Sequence, residues 1–169
     1  MARDLIETMF ARRSIRRYTA EPITQAQIRT LLEAAMSAPS SPDGLPWHFV
    51  VVTLRQTLDA LATLHPDGLS MREAPLCICV CGEPAASPDL WQQACSAATE
   101  NTLLAATVLG LGSMWLSIYP VEERIDAVRR ILRIPSDIVP HNLIAIGHPA
   151  ERKEARTRYD PTRVHSGFW

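Results

Sequence analysis

Apolar residues recur along this chain first at helical spacing and then in alternation, and the switches between the two periods mark its elements. Leu5, Ile6, Met9 and Phe10 share one face of a first helix running from Asp4 to about Ala11. Thr24 and Gln27 form a capping-box pattern ahead of TQAQIRTLLEAAM, where Ile28, Leu31, Leu32 and Ala35 supply an apolar stripe. Pro39 disfavours helix in the residue before it, so that helix stops near Ala38. PSSPDGLP is dense in turn formers. WHFVVVTL is β-branched and aromatic, a strand too apolar to be an edge facing water on both sides. A short helix from Gln56 to Leu64 and a loop lead to a second strand, LCICVCG. From about Leu90 to Leu109 the chain is apolar or small on nearly every side of a long helix, which therefore must be buried. GSMWLSI reads as a strand and VEERIDAVRRILRI as an amphipathic helix ended by Pro135, with Glu122 and Glu123 where the helix dipole favours them. HNLIAIG is the last strand. With no repeat and no linker, residues 1–169 read as a single α+β domain.

The tail from His148 onward has neither period, yet it ends in Phe168 and Trp169. Chain ends are usually polar and frayed. Two terminal aromatics call for a surface to pack on; the tail is packed on its own domain, disordered, or an arm laid on a second protomer.

Composition narrows the class. Hydrophobic residues make up 47% and charged residues 21%, which suits a globular, soluble protein. A formal net charge of −1 gives no electrostatic case for nucleic acid or an anionic membrane. No run reaches the roughly 18 apolar residues of a membrane span, and the N-terminus lacks the apolar core of a signal peptide. Cys77, Cys79 and Cys81 alternate and so share one strand face; with Cys95 they suit a buried, reduced core rather than a disulfide framework or a zinc site. A reducing cytoplasm is the expected home.

Two basic clusters carry the candidate chemistry. RRSIRRY places Arg12, Arg13, Ser14 and Arg16 just after a helix end, and guanidinium groups bind phosphate through paired, charge-assisted hydrogen bonds. Arg is the default cation here, with Lys153 the one lysine, so a solvated basic turn is the competing reading. RTRYDPTR supplies Arg156, Arg158 and Arg163 at the other end of the chain. No GxGxxG follows a strand, and Walker, HExxH and GxSxG patterns are missing. Any nucleotide is bound by another device.

RRSIRRY, APSSPDGLPWHFVVV, ACSAATENTLLAATVLGLGSMWL, IAIGHP and RTRYDPTRVHSGFW resemble the successive landmarks of the FMN-dependent nitroreductase family, in order and spacing, over nearly the whole chain. The match is to its short, single-domain members. The resemblance implies a mixed, largely antiparallel sheet flanked by helices, in an intertwined homodimer whose C-terminal arm, residues 148–169, crosses to the partner and adds to its sheet. It implies FMN at the dimer interface, NADPH or NADH as electron donor, and small electron-poor acceptors such as nitroaromatics or quinones, reduced by a ping-pong mechanism. Carried over by position, Arg12, Ser14 and Arg13 serve the FMN phosphate and ribityl end, and Arg16 lies near the flavin N1/O2 edge. Pro39, Ser40 and Ser41 match the segment that reaches the partner's flavin. Trp115, Leu116 and Ser117 match the strand along the isoalloxazine, and Arg158 with Arg156 matches the tail cation on the phosphate.

The resemblance assigns no catalytic side chain, because the flavin carries the reaction. His48, His65, His141 and His165 read as structural. The sequence departs from the family at Asp43 and Leu45, where Asn and Gln are usual, and at Ala94, where short members often carry an acid. An Asn amide donates and accepts, whereas an ionised Asp only accepts, so this loop's contacts to flavin or substrate are open. Alternatives within the fold are flavin fragmentation or dehalogenation. Outside catalysis, they are an FMN storage or sensing protein, or an interaction dimer that has lost FMN.

Overall fold

The computed structural model describes residues 4–40 and 44–169. Four strands, β1 (Trp47–Val52), β2 (Leu76–Gly82), β3 (Gly112–Ser117) and β4 (Val139–Gly147), form one sheet in the order β1-β2-β4-β3, every pairing antiparallel. A parallel bridge between Ser14 and Ser113 adds a short extended segment beside β3, which makes the assembly mixed. Around it stand α1 (Leu5–Ala11), α2 (Gln25–Met36), α3 (Arg55–Ala62), α4 (Leu69–Glu73), α5 (Trp91–Val108) and α6 (Glu122–Leu132).

Alternation in β2 divides the core. Cys77, Cys79 and Cys81 face α3, α4 and α6, packing with Leu58, Leu61, Met71, Ile125 and Val128. Leu76, Ile78 and Val80 face α2 and α5, packing with Ile28, Leu31, Trp91, Ala98 and Leu103. All seven positions of β2 are buried, as a central strand covered on both faces requires. Each fully buried Leu or Ile contributes about 1.5–3 kcal/mol of apolar transfer. The four thiols are free and buried, and burial pushes the Cys95 thiol up to about 12. They behave as small hydrophobes.

The expected elements are present with boundaries shifted by a few residues. The capping box forms: Thr24 Oγ1 accepts from the Gln27 amide and Gln27 Oε1 accepts from the Thr24 amide. Two differences stand out. The stretch expected to be a loop after α3 contains the one-turn helix α4, fixed by a close turn at Gly68. A Cβ there would meet the Ala62 carbonyl oxygen at 2.0 Å, so only glycine fits. In α1, the apolar stripe does not enter this chain's core. Leu5, Ile6, Met9 and Phe10 are 45–59% exposed, and Thr8 is the buried residue.

β1 is an edge strand, yet both faces are partly covered: Trp47 and Phe49 pack toward α5, Val50 and Val52 toward α3. Its outer edge pairs with no strand among the described residues.

Candidate functional site

The chain's two ends are strapped together beside β3. The extended segment after α1 begins at Ser14, where the Ile15 amide donates to the Ser113 carbonyl at 2.9 Å. Gly112 permits this approach, since a Cβ would meet Ile15 Cγ2 at 2.8 Å. The segment leaving β4 runs back along it: Thr19 donates to the His148 carbonyl, Ala150 to Arg17 and Arg156 to Phe10, at 2.8, 2.9 and 3.1 Å. Glu151 Oε1 accepts from the backbone amides of Arg16 (2.5 Å) and Arg17 (3.3 Å), and these bonds hold its carboxyl below the usual range. Lys153 Nζ reaches the Ser14 carbonyl at 2.6 Å, and Arg13 donates to the Glu154 carbonyl.

This strap joins the two basic clusters. Met9, Arg12, Arg13, Ser14, Arg156 and Arg158 line one cleft of about 180 Å³. Arg158, Arg13 and Arg12 together lower the pKa of Arg156, the mark of several like charges sharing one small space. Arg12 is steadied by Glu100 of α5, Nε to Oε1 3.2 Å. Four guanidinium groups and one hydroxyl are a donor set for an anion with several oxygens, and a phosphate monoester fits it.

Arg16 lies two residues beyond Ser14, on the same side of an extended chain. Its Nε pairs with Asp67 Oδ1 at 3.2 Å, and it borders a second cleft of about 390 Å³ with Pro66, Asp67 and Leu69. Next along β3, Trp115 is partly buried and tilts against His141 with ring centroids 6.5 Å apart. The Leu116 side chain is fully buried in the core, so only its backbone is available to a ligand. Ser117 is exposed, and its carbonyl accepts from Arg124 Nη1 at 3.1 Å.

Pro39 and Ser40 follow α2 as exposed residues and do not line the basic cleft of their own chain. Ser41 and Asp43 lie outside the described residues, and Leu45 is 67% exposed. His141 is buried between Tyr119, Trp91 and Trp115, and burial lowers its pKa to about 4, so near neutral pH the ring is uncharged. Its Nδ1 faces the Asn142 amide at 2.9 Å, and Asn142 in turn donates to Thr99 at 2.8 Å. His65 accepts from the Asp67 amide through Nδ1, a turn-stabilising role.

Glu100, Asp67, Glu151, Lys153 and Arg124 join the site in the folded chain without being marked for it by any of the sequence motifs. The signal for Glu151 and Lys153 was present, since acids and a lone lysine beside a basic tail imply a partner. Glu100 and Asp67 offered none, because their partners are far away in sequence.

The family model for nitroreductases matches residues 9–69 and 65–148. This chain belongs to the nitroreductase family. A Methanothermobacter thermautotrophicus protein provisionally named an NADH dehydrogenase/NAD(P)H nitroreductase is 40% identical over 168 residues, covering 98% of this chain and 88% of the relative. An Archaeoglobus fulgidus protein of the same provisional name is 42% identical, covering 98% and 99%. Among solved structures, an FMN-dependent nitroreductase from Clostridium difficile superposes with a TM-score of 0.91 at 29% identity, covering 97% of this chain and 99% of that one. The α+β nitroreductase fold extends over the chain, and none of its described helices is long and apolar enough to cross a membrane.

Proposed function

We propose that this nitroreductase-family chain is an FMN-dependent oxidoreductase that takes hydride from NADPH or NADH and passes the electrons to a small electron-poor acceptor, a nitroaromatic or a quinone, in a ping-pong cycle. The observation that carries this reading is the convergence of Arg12, Arg13 and Ser14 with Arg156 and Arg158 on one cleft at the edge of β3. When bound, FMN supplies the hydride chemistry. The protein supplies position and field. Arg12, Arg13, Ser14, Arg156 and Arg158 would hold the phosphate, and Lys153 and Glu151 keep the two strands carrying them together. Arg16 would present its charge to the N1/O2 edge, while β3 from Trp115 to Ser117 offers backbone groups along the ring.

The site is completed, in this reading, by a second copy of the chain. The exposed apolar face of α1 and the tail beyond Arg158, with Tyr159 at 75%, Phe168 at 92% and Trp169 at 100% exposure, support a homodimer in which the tail crosses over. The open outer edge of β1 is where a crossing strand can add. Pro39, Ser40 and Ser41 would then reach the flavin of the other protomer. Four buried free thiols suit a cytoplasmic setting.

The visible absorption spectrum of the purified protein, followed by anaerobic addition of NADPH and then NADH, tests this. Flavin bands that bleach with either nucleotide and return with a quinone support the oxidoreductase. Bound flavin that never bleaches points to storage, and a colourless protein that ignores added FMN refutes the cofactor.

A further inference from the structure

We propose that Asp67, paired with Arg16, sets the reduction potential of the bound cofactor by offsetting the charge that Arg16 presents to it. This rests on the FMN reading above and deepens it.

The pair is built from two backbones that are each pinned. Arg16 is held from behind, its amide donating to Glu151 at 2.5 Å. Asp67 is held in a turn: its own amide donates to His65 Nδ1 at 3.0 Å, and its carbonyl accepts from Ser70 Oγ at 3.0 Å. The Gly68 amide closes the turn on the His65 carbonyl at 2.8 Å, at the position where no Cβ fits. Two segments 51 residues apart thus meet at 3.2 Å. Both side chains are 44% exposed, so neither is sealed into the core and both face the cleft they border.

The pair lies next along the chain from the basic cleft. Ser14 lines the basic cleft, and Arg16 is about 6.5 Å further along an extended segment, at roughly 3.3 Å per residue. In the FMN reading, a ligand held at the cleft by its phosphate would extend from Ser14 toward Arg16. Arg16 makes its ion pair with Asp67 alone among the described residues.

Hydride from NAD(P)H adds two electrons and one proton to FMN, leaving the oxidised nicotinamide and a reduced flavin with one more negative charge. A lone guanidinium beside the N1/O2 edge stabilises that added charge and raises the potential. A carboxylate 3.2 Å from the guanidinium turns the cation into a dipole whose field falls off faster with distance. Asp67 therefore keeps the reduced cofactor the stronger reductant, which suits delivery to a nitro group or quinone. Asp67 is a positioning residue, acting on the cofactor through Arg16.

The test is an equilibrium redox titration, against a reference dye, of FMN-loaded wild type, Asp67→Asn and Asp67→Glu. Removing the charge is expected to favour binding of reduced over oxidised FMN by about tenfold, a rise of about 30 mV for a two-electron couple. Asp67→Glu keeps the charge and is expected to stay near wild type. An unchanged or lowered potential in Asp67→Asn, with FMN bound one per chain, overturns the role of Asp67 and leaves the FMN reading standing. Wild type that binds no FMN overturns both.

Discussion

Arg156 carries its charge in full contact with water, yet Arg158, Arg13 and Arg12 still depress its pKa. Crowding of that kind destabilises the free cleft slightly and is relieved by an anion. Charge-assisted bonds to a phosphate are worth about 1.5–3 kcal/mol each. Arg12→Ala and Arg158→Ala are each expected to weaken FMN binding by about ten- to a hundred-fold, measured by titrating apo-protein with FMN. Wild-type affinity in both variants would remove the phosphate from this cleft. The anchoring arginines were legible one by one, because family-like motifs mark them. Their convergence is implied only by the resemblance, which sets both clusters on one phosphate; nothing in the order of residues itself says that position 12 lies beside position 156. The acids that steady them, Glu100 for Arg12 and Asp67 for Arg16, were hidden for the same reason.

At the scale of elements, local signals did most of the work. The alternation of LCICVCG placed three thiols on one face, and they pack there against α3, α4 and α6. The Thr24–Gln27 capping box formed as written, and losing such a cap typically costs about 1 kcal/mol. Thr24→Ala is expected to lower the unfolding free energy by about that amount in urea titration while leaving the flavin spectrum as it was. An altered spectrum with unchanged stability would contradict the purely local role. Helix α4 escaped sequence reading because a five-residue turn carries too few residues to show a period. Helix α1 shows the converse. Its stripe is clear in sequence, but periodicity names an apolar face without naming what covers it, and within this chain that face stays exposed.

For the whole molecule, backbone bonding of the tail to its own chain continues well past the loss of periodicity at His148. Residues up to Arg156 are strapped to their own chain, whereas Tyr159, Val164, Phe168 and Trp169 are exposed. A chain ending at Arg158 keeps every cation of the cleft. In the proposed homodimer it is expected to sediment as a monomer and to bind FMN more weakly, since the partner's loop leaves with the partner. A truncated chain that remains dimeric and yellow would refute the crossing arm. The strap also orders events in time. One half of the cleft comes from residues 12–14 and the other from 156 and 158, so every residue between them must be synthesised before the pocket exists. In the proposed site, FMN loading therefore follows synthesis of residue 158, and the phosphate joins two segments that the chain makes far apart in time.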